Sequence, residues 1–154
     1  MATEARPFEI LLAEDSLGDA ELVREALMEH KVKCSLRVIS DGERAIDFLN
    51  SIDADPKTPP LDLLLLDLHL PKRDGTEVLQ RLRSTERYAQ TPVIIITGLS
   101  SGSPQESATG DEAMMYFEKP STLEEFMQLG GLVRRVLEEG MARAGDQING
   151  GGGG

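Results

Sequence analysis

Four apolar runs in the chain are each followed at once by a side chain able to do polar chemistry. Glu14-Asp15 follows Phe8-Glu-Ile-Leu-Leu-Ala13, and Asp67 closes Leu61-Asp-Leu-Leu-Leu-Leu66. Thr97 follows Pro92-Val-Ile-Ile-Ile96, and Lys119 follows Ala113-Met-Met-Tyr-Phe-Glu118. Asp74 stands one step further on, in the turn Pro71-Lys-Arg-Asp-Gly75 that opens the next helix. Short apolar runs bounded by turn residues read as buried strands, and in open parallel sheets ligands bind outside the carboxyl ends of the strands. Neighbouring strand ends lie about 5 Å apart, so Glu14, Asp15 and Asp67 converge if the first and third strands are adjacent. Two carboxylates about 4 Å apart repel by about 4 kcal/mol at an effective dielectric of 20, so either some hold protons or a divalent cation sits among them. Three hard oxygen donors with room for water suit Mg²⁺, which usually takes a few carboxylates plus a phosphate. On this reading Lys119 neutralises a phosphoryl oxygen, Thr97 donates a hydrogen bond to another, and Asp67 is the nucleophile that forms an acyl phosphate.

These groups are positioned by five strand-then-helix units. After the first strand, Leu22, Val23, Ala26 and Leu27 form a helical stripe that ends near Lys31. Cys34-Ser-Leu36-Arg-Val38 alternates as a half-exposed strand, and Ser40-Asp41-Gly42 turns into a helix with Ala45, Ile46 and Leu49 inward. Asn50 to Pro60 carries three prolines and predicts a surface loop. The central apolar run follows, then a helix with Val78, Leu79 and Leu82 inward. Between the fourth and fifth strands, residues 99–112 should be helical by alternation, yet they contain Gly102 and Pro104 and almost no apolar stripe. The last helix starts at Ser121 or Thr122, with Phe126, Leu129, Val133, Val136 and Leu137 as its stripe, mildly broken by Gly130-Gly131. Such a series implies a doubly wound α/β fold, a five-stranded parallel sheet with helices on both faces. The expected organisation is a tail over 1–6, one domain over 7–140, and a disordered glycine-rich tail over 141–154.

Bulk properties narrow the function classes. The 154 residues fit one domain, and a net charge of −11 with no basic cluster argues against direct nucleic-acid binding. The single Cys34 reads as a small core residue in a reducing compartment. No signal peptide and no stretch of about 20 apolar residues is present, so a cytoplasmic protein without a membrane segment is expected.

Taken together, Glu14-Asp15, Asp67 with Pro71 and Gly75, Thr97, and Lys119-Pro120 resemble the receiver domain of two-component response regulators. The match runs from Phe8 to about Glu139. Its separations, 30 residues from Asp67 to Thr97 and 22 from Thr97 to Lys119, are the family's usual ones. The resemblance implies a flavodoxin-like strand order 2-1-3-4-5 and phosphotransfer from a sensor histidine kinase's phosphohistidine to Asp67. It also implies Mg²⁺ held by Glu14, Asp15, Asp67 and the backbone carbonyl of His69. Thr97 and Lys119 would then sense the phosphoryl group, and Tyr116 would be the aromatic that swings inward on activation. A non-enzymatic signalling module is implied, a stand-alone receiver without turnover of a separate substrate.

Two features set the chain apart from the commonest pattern. The Pro-rich segment from Asp53 to Pro60 is similar to that of single-domain regulators that partner phytochrome kinases, which points to a phytochrome-type kinase. The helix expected over 99–112 lacks the usual apolar face, so this segment is expected to order only when Thr97 engages the phosphoryl group. A homodimer through the last helices and strands remains open, and the downstream protein partner is unnamed by the sequence. Two competing readings are weaker. A haloacid-dehalogenase-like phosphatase needs a second Asp two residues after the nucleophile, where His69 stands. A flavodoxin-type carrier needs a hydroxyl-rich first loop, whereas Glu14-Asp15-Ser-Leu-Gly18 is anionic.

Overall fold

The computed structural model describes residues 6–58, 61–98 and 114–153, and for Thr97 and residues 141–153 the backbone alone. Five parallel strands, β1 (Phe8–Ala13), β2 (Cys34–Ile39), β3 (Leu63–Asp67), β4 (Val93–Thr97) and β5 (Met114–Glu118), lie in the order β2-β1-β3-β4-β5. The helices are α1 (Leu17–Glu29), α2 (Gly42–Ala54), α3 (Gly75–Ser84) and α4 (Leu123–Gly153), with one 3₁₀ turn at Glu86–Tyr88. This is the expected doubly wound, flavodoxin-like architecture. The helix expected over 99–112 lies outside the described residues.

Strand periodicity divides the core in two. Side chains alternate across a strand, so Ile10, Leu12, Leu63, Leu65, Ile94 and Ile96 face α1 and α4. Leu11, Ala13, Leu64, Leu66, Val93 and Ile95 face α2, α3 and the buried Tyr88. Every residue of β3 is buried, as the continuous leucine run requires of a central strand covered on both sides. Each leucine taken out of water contributes about 1.5–3 kcal/mol, which is what holds β3 and the carboxylate at its end in place.

Helix α2 continues to Ala54 instead of ending at Asn50, because Pro56 is the first of the three prolines that the helix would meet and Ile52 still faces the core. Arg87 then ties down the end of α2, donating to the carbonyls of Ile52 (2.9 Å) and Asp55 (3.0 Å), and to that of Thr58 in the loop. Arg6 is also not part of a loose tail. Its guanidinium makes two bonds to Asp62, at 3.0 and 3.2 Å, and Asp62 accepts the Glu9 N–H at 2.7 Å. At the other end α4 runs on past Gly140 to Gly153, where composition predicts no regular structure. Extending a formed helix avoids the cost of nucleation, although each interior glycine costs about 1 kcal/mol against alanine. Among the described residues, no helix is long and apolar enough to cross a membrane.

Gly130-Gly131, a mild break in the stripe by sequence, is where α4 crosses α1. A Cβ on Gly130 would stand 2.1 Å from the Ala26 carbonyl oxygen and 2.6 Å from Cδ2 of His30, whereas one on Gly131 would meet only the His30 ring, at 3.2 Å. Arg134 adds a bond of 3.1 Å to the His30 carbonyl at the C-terminus of α1. Gly130→Ala must therefore push two backbones apart and should cost about 1–3 kcal/mol, while Gly131→Ala, relieved by a small turn of the His30 ring, should cost clearly less. Thermal or urea denaturation of the two variants checks the ordering.

Candidate functional site

The site is built at the carboxyl edge of the three central strands. β1 and β3 pair in register with Ala13 beside Leu66, so the next residues along, Glu14 and Asp67, stand side by side. Alternation places both on the α1 and α4 face of the sheet, and Lys119, two residues beyond Phe117, falls on the same face. Glu14 and Asp67 are only 1% and 6% exposed, while Asp15 is open to solvent. Each of the three offers a carboxylate oxygen, all within 4.8 Å of one another.

Local backbone geometry orients these groups. The N–H of Ser16, the N-cap of α1, donates to Oε2 of Glu14 at 3.1 Å, and the N–H of His69 donates to Oδ1 of Asp67 at 3.0 Å. After Pro71 the chain reverses through Lys72, whose φ of 69° lies in the left-handed region, and the Gly75 N–H reaches the Leu68 carbonyl at 2.9 Å. Only glycine fits at that approach, since a Cβ on Gly75 would lie 2.6 Å from the Asp67 carbonyl oxygen. α3 thus starts directly against the backbone of Asp67. Asp74 does not join the cluster. It is an exposed N-cap of α3, its N–H bonded to Oε2 of Glu77 at 3.0 Å.

The Lys119 ammonium reaches two of these carboxylates and a third from α1. Nζ of Lys119 lies 2.7 Å from Oδ2 of Asp19, 2.9 Å from Oε1 of Glu14 and 3.7 Å from Oδ2 of Asp67. Asp19, in the first turn of α1, is a site residue that sequence reasoning missed. Its place three residues after Ser16 reads as an ordinary helix-start acid, and its N–H does bond Ser16 Oγ at 3.2 Å. Burial would lower the Lys119 pKa, but the bond to Asp19 and the close negative charge of Glu14 outweigh it and hold the group above its ordinary value. Burial pushes the Glu14 carboxyl up to about 7 against the pull of Lys119 and the Ser16 N–H, and the neighbouring Asp67 charge adds to the rise. Although Lys119 is close to Glu14 Oε1, it stands off the hydrogen-bonding direction, so this buried oxygen has no aligned donor.

Those observations fit a hard divalent cation. The Lys119 ammonium meets the carboxylates of Glu14, Asp19 and Asp67, while Asp15 joins Glu14 and Asp67 in a group within 4.8 Å, where ionised pairs about 4–5 Å apart repel by about 3–4 kcal/mol each at an effective dielectric of 20. The buried Oε1 of Glu14, without an aligned donor, the buried Asp67 and the exposed Asp15 offer a half-open set of oxygen ligands of the kind Mg²⁺ takes. At His69 the structure places the N–H on Asp67, and the side chain is exposed. The backbone of Thr97 ends β4 beside Glu118, one residue short of Lys119. Tyr116 lies on the opposite face, half-buried against the α2 and α3 core.

Known proteins carry the same arrangement of elements. The family described as response regulator receiver domain matches residues 10–129. The chain belongs to the response regulator receiver family. Among the receivers it is similar to, response regulator Rcp1 of Synechocystis sp. PCC 6803 is 38% identical over 98 residues, covering 63% of this chain and 67% of that protein. The probable methanogenesis regulatory protein FilR2 of Methanothrix harundinacea is 32% identical over 133 residues, 86% of this chain and 81% of that one. The phosphorylated cyanobacterial phytochrome response regulator RcpA superposes with a TM-score of 0.70 at 28% identity, covering 82% of this chain and 91% of RcpA. The Mn²⁺-bound form of Rcp1 superposes with a TM-score of 0.67 at 32% identity, with the same coverage.

The raised Glu14 value has a pH signature. Its folded value of about 7 lies above the ordinary 4.5, so the native receiver binds more protons than the unfolded chain between them, and stability is lost as pH rises through 7. In chelator, wild-type stability should therefore fall from pH 5 to pH 8 by on the order of 1–3 kcal/mol relative to Glu14→Gln. Magnesium should shrink that difference by favouring the ionised carboxylate. Denaturant unfolding at the two pH values, with and without Mg²⁺, measures both effects.

Proposed function

We propose that this receiver takes a phosphoryl group onto Asp67 from the phosphohistidine of a sensor histidine kinase, in a Mg²⁺-dependent phosphorelay. It acts as a cytoplasmic switch for a protein partner, without turnover of a separate substrate. The observation that carries this reading is the state of the Asp67 carboxylate. It is buried at a strand end, with Oδ1 tied to the His69 N–H and Oδ2 left 3.7 Å from a lysine ammonium.

Fixing Oδ1 leaves Oδ2 as the attacking atom. A P–O bond to Oδ2 forms as the P–N bond of the phosphohistidine breaks, its electron pair returning to the imidazole nitrogen. Lys119, already charged and already in the cleft, balances the oxyanions of the transferred group. Mg²⁺, held by Glu14, Asp15, Asp67 and, by resemblance to the family, the His69 carbonyl, would supply the remaining positive charge and offset the repulsion among the carboxylates. Thr97 and Tyr116 would report the phosphoryl group to the surface, Thr97 from the end of β4 and Tyr116 from the other face of the sheet. Similarity to RcpA, Rcp1 and the bacteriophytochrome response regulator RtBRR supports a phytochrome-type kinase as the donor.

Incubation with acetyl phosphate and Mg²⁺ should add one phosphate to the intact protein, seen by mass spectrometry. Asp67→Asn should remove it entirely, and chelation should slow it at least about tenfold, the size of losing a divalent ion's charge in a half-buried site. A label that survives in the Asp67→Asn variant would place the nucleophile elsewhere.

A further inference from the structure

Lys119 is expected to serve the acyl phosphate, yet its shortest contact is with a carboxylate that has no part in that chemistry. The Asp19 bond, 2.7 Å, is an aligned hydrogen bond between two half-covered side chains, with Lys119 19% and Asp19 30% exposed. Asp67 is 3.7 Å away, 1.0 Å further than Asp19, and so beyond hydrogen-bond reach. Asp19 is also rigidly carried. It belongs to the first turn of α1, where the Ser16 side chain accepts its backbone N–H, and α1 is clamped to α4 at Gly130. A carboxylate fixed in this way sets where the ammonium rests.

From this geometry we infer that Asp19 is a positioning residue that holds Lys119 back from Asp67 and competes with an incoming phosphoryl group for its charge. The inference rests on the reading of Asp67 as the phosphoacceptor. A phosphoryl group on Oδ2, which lies 3.7 Å from Nζ, brings a dianion within reach of the same ammonium. An ammonium has three donors but a single charge, so strengthening the new pair weakens the old one. The Asp19–Lys119 pair is therefore a brake on the phosphorylated state, present before any kinase arrives. Glu14 cannot play this role in the same way, because its oxygen meets Lys119 without an aligned bond.

Beryllofluoride, a non-covalent stand-in for the phosphoryl group, tests this by fluorine NMR titration of the full chain at fixed Mg²⁺. Asp19→Asn should tighten its binding about three- to tenfold, the range expected when a half-buried ion pair stops competing. Asp19→Glu, which keeps the charge, should stay near wild type. In a Lys119→Met background the same Asp19→Asn change should move the affinity less than about twofold, since the effect acts through the ammonium. An equal gain in both backgrounds would mean that Asp19 acts only through its general negative field, and no gain or weaker binding would mean that it does not compete. Either result overturns the brake while leaving the phosphoacceptor reading intact. A wild-type chain that fails to bind beryllofluoride at all overturns both.

Discussion

Negative charge crowded onto one sheet edge is the constraint around which this receiver is built. Glu14 and Asp67 are buried next to each other, Asp15 lies beside them, Asp19 approaches from the first turn of α1, and the Lys119 ammonium is shared among Glu14, Asp19 and Asp67. Left in solution these side chains would separate. They stay together because the strands that carry them are fixed by leucine and isoleucine side chains buried on both faces of the sheet, a driving force far larger than the repulsion between any two carboxylates. The unspent electrostatic cost is what suits the edge to a divalent ion. A site neutralised in advance would have little to gain from one.

The two-residue period of the strands sorts the expected machinery onto separate sides. Glu14, Asp67 and Lys119 belong to the face covered by α1 and α4, whereas Tyr116 packs with the core under α2 and α3. The sheet therefore lies between Tyr116 and the carboxylates, and β5 carries Tyr116 three residues before Lys119. The seam between α1 and α4 has a matching role. Its close approach at Gly130 sets the position of α1, and with it the first turn that presents Asp19. A packing detail at one end of a helix is in this way tied to the charge balance at the other.

Similarity to RcpA and Rcp1 gives the molecule its family, and the details of this chain show how it builds the common frame. The proline-bearing segment before β3 is held by Arg87, whose guanidinium adds a second bond to the Ile52 and Asp55 carbonyls, which already accept the N–H groups of Asp55 and Thr58. Arg6 and Asp62 perform a similar service at the start of β1. Arg87 bonds backbone carbonyls and Arg6 pairs with the Asp62 carboxylate, so both contribute to the scaffold without adding positive charge to the functional edge.

The strands, their order of appearance and the polar residue at each strand end were legible in the sequence, because alternation and apolar runs are local properties written residue by residue. Glu14, Asp15, Asp67 and Lys119 could be picked out on that basis alone. The length of α2 was not legible, because a proline stops a helix only where it stands, and whether the preceding turn persists depends on Ile52 finding the core and on Arg87, 35 residues away in the chain, finding its carbonyl. The same holds more strongly for Asp19, which looks like any acid in a first helical turn. That Lys119, 100 residues later, bonds to it in preference to Asp67 is decided by the separation of β5 from α1 in space. Local periodicity encodes which groups reach the edge of the sheet. Which of them pair is settled only when packing fixes the distances, since ionic and hydrogen-bond energies depend on those distances and not on order along the chain.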